Sequence, residues 1–312
     1  AFRKTFAISE YLEKLRKARV EFIPFGGKYY PESLKKIDNP AIGLFTKGDQ
    51  KLLLGPQKIA VVGSRKITSY GKEVTENLVS ELCSAGFVIV SGMALGVDGL
   101  AHKSAIDNQG STIAVLGCGV DCPYPRENEK LYEDILDSGG LVISEYPLGM
   151  SASKGTFPAR NRIIAGISMA VLITEAAEDS GSLITAEHAI KQSKKVFAVP
   201  GPITSQMSRG TLTLLKHGAV LVSSSDDIIN ELGVQPLKGV DMKGKVASSG
   251  LKLKLSKLEE KIFDILQNEE RTIDEISKLT KISIAKLTAI LSEMEMKGIL
   301  KNSGGKFGVK NI

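Results

Sequence analysis

The sequence predicts an α/β protein: a Rossmann-like, doubly wound and mostly parallel sheet, with a small winged helix-turn-helix domain at its C-terminal end. Three observations carry this. From residue 58 to 234, short β-branched apolar runs alternate with amphipathic helical stretches, the pattern of βα units stacked into a parallel sheet. Over 235 to 256 Gly, Ser and Lys dominate and periodicity fades, as in a basic flexible linker. Residues 257 to 312 then run helix, helix, turn, helix and a Gly-Gly hairpin, the order of a winged helix.

Taken in order, residues 1 to 57 form an N-terminal extension packed on the core, with one helix from Ser9 to Arg19 and turn-rich segments at Tyr30-Pro31 and Asn39-Pro40. The core strands are expected at Ile59 to Val62, Phe87 to Ser91, Ser111 to Leu116, Leu141 to Ile143, Met169 to Ile173, Val196 to Val199 and Ala219 to Val222. Between them fall helices at Lys72 to Ala85, Val97 to Asn108, Glu127 to Ser138 and Ile184 to Gln192. The terminal domain places helices at Lys257 to Gln267, Thr272 to Leu279 and Ser283 to Lys297, with Thr272 and Ser283 as N-caps, and strands at Ile299 to Asn302 and Lys306 to Lys310.

The formal net charge is +6 and the pI about 9, which favours a polyanionic partner. Cys83, Cys118 and Cys122 lack the spacing and the histidines of a zinc set and read as small core residues in a reducing compartment. Ala1 to Leu15 lacks the apolar run of a signal peptide or membrane span, so the expected location is the cytoplasm, with no membrane contact. No metal and no cofactor is expected.

Four strand-end motifs offer chemistry. Gly63-Ser64-Arg65 sits between a strand and a helix, where a tight turn presents free amides to an anion and Arg65 can fork onto a phosphate. Ser91-Gly92-Met93-Ala94-Leu95-Gly96-Val97-Asp98 allows close backbone approach around Gly92; Asp98 and His102 lie one helical turn apart and read as a cap and a packing group rather than a catalytic dyad. Lys154 to Gly166 interleaves Lys154, Arg160, Asn161 and Arg162, all phosphate donors, with Phe157, a flat face for a base, in a loop that Pro158 would hold extended. Asp179 to Ala186 opens a helix where Ser182, an N-cap candidate, and the first free amides suit one more phosphate, with Thr185 beside them. Gly117-Cys118-Gly119 is only a partial dinucleotide fingerprint, since Cys122 stands at the third glycine. Together these sites predict a protein that binds single-stranded DNA and is not an enzyme.

The motif set resembles the DNA-processing protein A (DprA/Smf) family. The resemblance runs from about Tyr29 to Leu232 and into the terminal domain, through Gly63-Ser64-Arg65, Ser91-Gly92-x-Ala94-x-Gly96-x-Asp98, Tyr124-Pro125, Ser144-Glu145-Tyr146-Pro147, Phe157-Pro158-x-Arg160-Asn161-Arg162, Ser180-Gly181-Ser182 and Pro200-Gly201. It implies a Rossmann-like single-strand-binding core, a homodimer, protection of incoming DNA and loading of the RecA recombinase onto it in natural transformation and homologous recombination. The family's pocket arginine falls on Arg65, its loop lysine on Lys154 and its aromatic on Phe157. Two departures stand out: Leu212 replaces the asparagine of the family's Ser-x-Gly-x-Asn, and too few residues precede Tyr29 for the small helical domain of many relatives.

One rival is a nucleotide-processing Rossmann enzyme of the phosphoribohydrolase type, whose Gly-Gly-x-Gly-Thr-x-x-Glu overlays Ser180 to Glu187. Leu183 and Ile184 replace its third glycine and threonine. Another is a transcription regulator, which the charge-mixed helix from Ser283 to Lys297 does not favour.

Overall fold

The computed structural model describes residues 7–55, 57–234, 257–266, 269, 271–296, 299–303 and 305–309. The chain divides into two compact units at residue 240. The linker expected over 235 to 256 lies outside the described residues.

In the first unit the elements follow as α1 (Ile8–Lys17), β1 (Glu21–Pro24), α2 (Glu32–Lys35), β2 (Gly43–Gly48), β3 (Lys58–Val62), α3 (Ser69–Ser84), β4 (Val88–Ser91), α4 (Val97–Asp107), β5 (Thr112–Val115), α5 (Glu129–Asp137), β6 (Leu141–Ser144), α6 (Thr156–Ile167), β7 (Ala170–Ile173), α7 (Ser182–Lys191), β8 (Lys195–Ala198), α8 (Arg209–Lys216), β9 (Val220–Leu221) and α9 (Ser225–Leu232). They build one nine-stranded sheet in the order β1-β2-β6-β5-β4-β3-β7-β8-β9. The strands from β6 through β9 are parallel. Every residue of β3, β5, β6 and β7 is buried, as a sheet covered on both faces requires.

The winding creates the site. From β3 the chain steps outward through β4 and β5 to β6, with α3, α4 and α5 packed side by side. It then returns through α6 to lay β7 on the other flank of β3, registering Ile59 on Ala170 and Val62 on Ile173, and continues outward the other way under α7. Right-handed crossovers put the two helix groups on opposite faces, so the loops after β3 and β7 part and leave a crevice at the carboxyl edge.

The first 57 residues do more than pack on the core. β2 pairs antiparallel with β6, from Phe45 on Ser144 to Gly48 on Leu141, and β1 pairs antiparallel with β2. The extension therefore lengthens the sheet, and Pro24 ends β1 at the outer edge, where a missing N–H breaks no ladder.

The second unit holds α10 (Lys257–Leu266), β10 (Arg271–Thr272), α11 (Ile273–Thr280), α12 (Ile284–Met296), β11 (Leu300–Ser303) and β12 (Lys306–Val309), the three strands forming a sheet in the order β10-β12-β11. Ile262, Leu266, Ile276, Leu287 and Leu291 make its core. The expected cap at Thr272 is present as a reciprocal box: its hydroxyl accepts from Glu275 N–H, and the Glu275 carboxylate accepts from Thr272 N–H at 2.8 Å. This is the winged helix that the element order implies. Among the described residues no helix is long and apolar enough to cross a membrane.

Candidate nucleic-acid interface

The turn after β3 is fastened before it can present anything. Ser64 N–H donates to the Glu175 carbonyl just beyond β7 at 2.7 Å, which ties the two strand ends together at the base of the crevice. The Glu175 side chain accepts from Thr68 N–H at 2.9 Å and from the Thr68 hydroxyl at 2.5 Å, which fixes the start of α3. Ser64 is itself buried, its hydroxyl accepting from Lys66 N–H at 3.0 Å. That leaves Arg65 exposed on a rigid turn, with its guanidinium carbon 5.7 Å from the centre of the Phe157 ring.

Phe157 reaches this place from the first turn of α6, which begins at Thr156. The extended loop expected around Pro158 is corrected here: the proline lies within the helix's first turn, where its missing N–H would have had no partner. The Phe157 ring is half-buried and lies 5.3 Å from the Tyr124 ring at 41°. Gly117 forms the floor, since a Cβ there would stand 3.1 Å from the Phe157 Cδ1. Tyr124 is 46% exposed. It is a site residue that the motif reading used only as a family marker, and its proline neighbour was the available signal. Lys154 is exposed just ahead of the helix and makes no ion pair among the described residues.

The other two cations of the stretch are turned inward. Arg160 is 4% exposed; its Nη1 donates to the Gly92 carbonyl at 2.8 Å and to the Val115 carbonyl, and its Nε to Asn161 Oδ1 at 3.2 Å. Gly92 is what admits it, because a Cβ at that position would lie 2.6 Å from the guanidinium nitrogens. Arg162 forks onto Glu145 with bonds of 2.7 and 2.6 Å and donates through Nε to the Asn39 carbonyl at 2.8 Å. Both guanidinium groups are thus spent on protein acceptors, against the expectation that they would be free phosphate donors. Asn161 is also buried and donates to the Gly181 carbonyl at 3.3 Å, tying α6 to the loop before α7.

That loop departs from the sequence reading in two details. Gly181 is the N-cap of α7 and Ser182 its first helical residue, with the Ser180 and Ser182 hydroxyls 2.8 Å apart. Thr185 is 0% exposed, so it cannot touch a strand laid over the surface; its interior position follows from the helical turn, which carries it under Ser182.

Asp98 and His102 are interior groups as well. The Asp98 carboxylate accepts from Gly92 N–H at 3.1 Å; burial raises its pKa, while Arg160 and the N–H groups of Gly63, Gly92 and Ala94 pull the other way. Burial likewise holds Arg160 below the usual guanidinium range, partly offset by Asp98. His102 Nδ1 lies 2.6 Å from the Thr112 hydroxyl, and desolvation takes the imidazole down to about 3. The pair braces the floor of the crevice and offers nothing to its surface.

Residues 21–233 match the family described as DNA recombination-mediator protein A, and residues 247–306 match the DprA winged helix domain. The chain belongs to the DprA family. Its similarity to the DNA processing protein DprA of Bacillus subtilis is 42% identity over 221 residues, covering 71% of this chain and 74% of that one. A solved Streptococcus pneumoniae DprA superposes with a TM-score of 0.64 at 42% identity, over 68% of this chain and 74% of that one. Helicobacter pylori DprA, whose structure concerns its own single-stranded DNA binding mode, gives 0.62 at 36% identity over 69% and 95%. The DprA winged helix coincides with the second compact unit.

Proposed function

We propose that this chain binds single-stranded DNA across the carboxyl edge of its sheet, with Arg65 and Lys154 on phosphates and Phe157, backed by Tyr124, against a base. The observation that carries this is the Arg65–Phe157–Tyr124 cluster: the Phe157 ring lies 5.7 Å from the Arg65 guanidinium carbon and 5.3 Å from the Tyr124 ring, and Arg65 stands in the turn after β3, where the strand order reverses. Stacking faces beside phosphate donors suit an unpaired strand, whose bases are free to splay, better than a duplex. Gly63, Ser64, Gly92, Arg160, Asn161, Arg162 and Ser182 act in this reading by shaping and bracing the surface. Support also comes from membership of the DprA family and from the single-stranded DNA binding of the H. pylori relative.

From the same membership we infer delivery of the bound strand to the RecA recombinase, action as a homodimer in the cytoplasm, and no bond-making step. The enzymatic rival is not favoured: Glu187, the residue that overlays the phosphoribohydrolase glutamate, is exposed on α7, and Leu183 and Ile184 replace that motif's third glycine and threonine. The test is a titration with single-stranded and duplex oligonucleotides of one sequence at one salt concentration, beside an assay for free base released from nucleoside monophosphates. Tighter single-strand binding without base release is expected. Duplex preference, or turnover, would overturn the reading.

A further inference from the structure

The crevice does not end at Arg65. A Cβ on Gly96 would stand 2.2 Å from the Ser64 carbonyl, so the loop into α4 lies directly against the Gly63-Ser64-Arg65 turn. From there an open groove of about 510 Å³ passes over the outer surface of α4, bounded by the starts of α3 and α5. Its lining includes Ile67, Lys72, Leu100, Lys103 and Lys130. Asn128 holds the α5 side in place by donating to the Met93 carbonyl at 2.9 Å.

Charge is distributed unevenly along it. Lys72 and Lys130 stand in the first turns of α3 and α5 and Lys103 midway along α4, while Arg65 and Lys66 are exposed at the mouth. All three helices start at this carboxyl edge, so their positive dipole ends add to the same potential. The carboxylates of Asp107 and Asp134 lie further along, at the last residue of α4 and one turn beyond Lys130. Lys72 sits 3.9 Å from Glu76; Lys103 and Lys130 make no ion pair among the described residues. The result is an apolar floor with a cationic rim that fades with distance from Arg65.

We propose that this groove carries the next nucleotides of the same single strand: phosphates leaving Arg65 pass to Lys72, Lys103 and Lys130, and bases lie on Ile67 and Leu100. The assignment rests on the single-strand reading of the Phe157 surface. Continuity with that surface and the fall of charge away from it select a strand over a separate acidic peptide. The site then has two parts, an aromatic one that any short oligonucleotide fills and a lysine-lined one that only a longer one reaches.

The experiment compares Lys103→Ala/Lys130→Ala with the parent chain on oligothymidylates of about 6 and about 16 nucleotides, within the range of single-strand site sizes, after thermal melts establish an unchanged fold. Affinity for the long oligomer should fall about tenfold, with its log-log salt slope flattened by about 1.4 for two lost phosphate contacts, while the short one changes less than about twofold. Equal binding of the long oligomer by both proteins overturns the proposal, and so does an equal loss at both lengths, which would report only the general field. Arg65→Ala separates the two readings. If it weakens both lengths while the lysine pair has no effect, the aromatic site stands and the groove fails; if neither matters, both fail.

Discussion

Replacing Phe157 tests the proposed binding surface most sharply, because the ring is half-buried, so that its packing and its proposed contact with a base must be told apart. A fully buried phenylalanine cut to alanine costs about 3 to 5 kcal/mol, so a half-buried one should cost about 2. That is tolerable against a typical stability of 5–15 kcal/mol, and Phe157→Ala should remain folded at 25 °C with a lowered melting temperature. Loss of a stacked base should cost a further ~1 to 3 kcal/mol in single-strand affinity, roughly 5- to 150-fold. Two companions separate the effects. Phe157→Leu keeps most of the packing and has no π-face, so it should melt near the parent and bind as weakly as alanine. Phe157→Tyr keeps the face, and with it most of the affinity. Melts and binding isotherms are run on the three variants in one buffer. If Phe157→Leu bound like the parent, or Phe157→Tyr lost as much as alanine, the stacking argument would be refuted.

Arg160→Met should destabilise the fold by about 3 to 5 kcal/mol in denaturant titration, because the Gly92 and Val115 carbonyls and the Asp98 carboxylate lose a buried partner; a cost below about 1 kcal/mol would contradict that role. Arg65→Ala, whose side chain is exposed, should leave the melt unchanged and flatten the salt slope of single-strand binding by about 0.7. His102 is buried and held down to about 3, while an unfolded histidine titrates near 6.5. Between those values only the unfolded chain takes the proton, so stability is full above that window and falls as pH drops, by about 2 kcal/mol from about pH 7 to about pH 5. His102→Gln should remove that slope, and an unchanged slope would show another group to be responsible. A chain ending at Leu232 should keep single-strand affinity within about tenfold, or ~1.4 kcal/mol, since the proposed binding cluster lies wholly in the first unit; a larger loss would give the winged helix a direct part in binding.

The parallel core was legible because buried strands must be continuous apolar runs, and Ile59, Ile89, Ile113, Val142 and Val171 all lie where such runs stand in the sequence. β1 and β2 were not, because Glu21–Pro24 is four residues long with three exposed, and a proline-ended edge strand has no periodic signature. In the candidate site, Arg65 could be placed at a strand end from local pattern alone, and Lys154 and Phe157 could be grouped with it, although Phe157 stands in the first turn of a helix and not in the expected extended loop. Arg160 and Arg162 could not be told from them, since whether an arginine faces water depends on acceptors far away in sequence: Gly92, Val115, Asn39 and Glu145. Thr185 was misplaced for a simpler reason: it shares a helix face with Ser182, one turn earlier, but that face turns inward, so both side chains are buried.

The fit of Arg160 against Gly92 also constrains how this sequence can drift. Any side chain at position 92 would have to occupy space already filled by the guanidinium, so Gly92→Ala is barred for as long as residue 160 is arginine. Shortening residue 160 first would open the space, at the expense of two unsatisfied carbonyls and an unbalanced Asp98. Neither single step is passable, and the double step requires a third change at Asp98. Positions 92, 98 and 160 are therefore expected to be inherited together, varying as a block among descendants of this chain, while the exposed residues at 65 and 154 stand outside that block and are free to change without it.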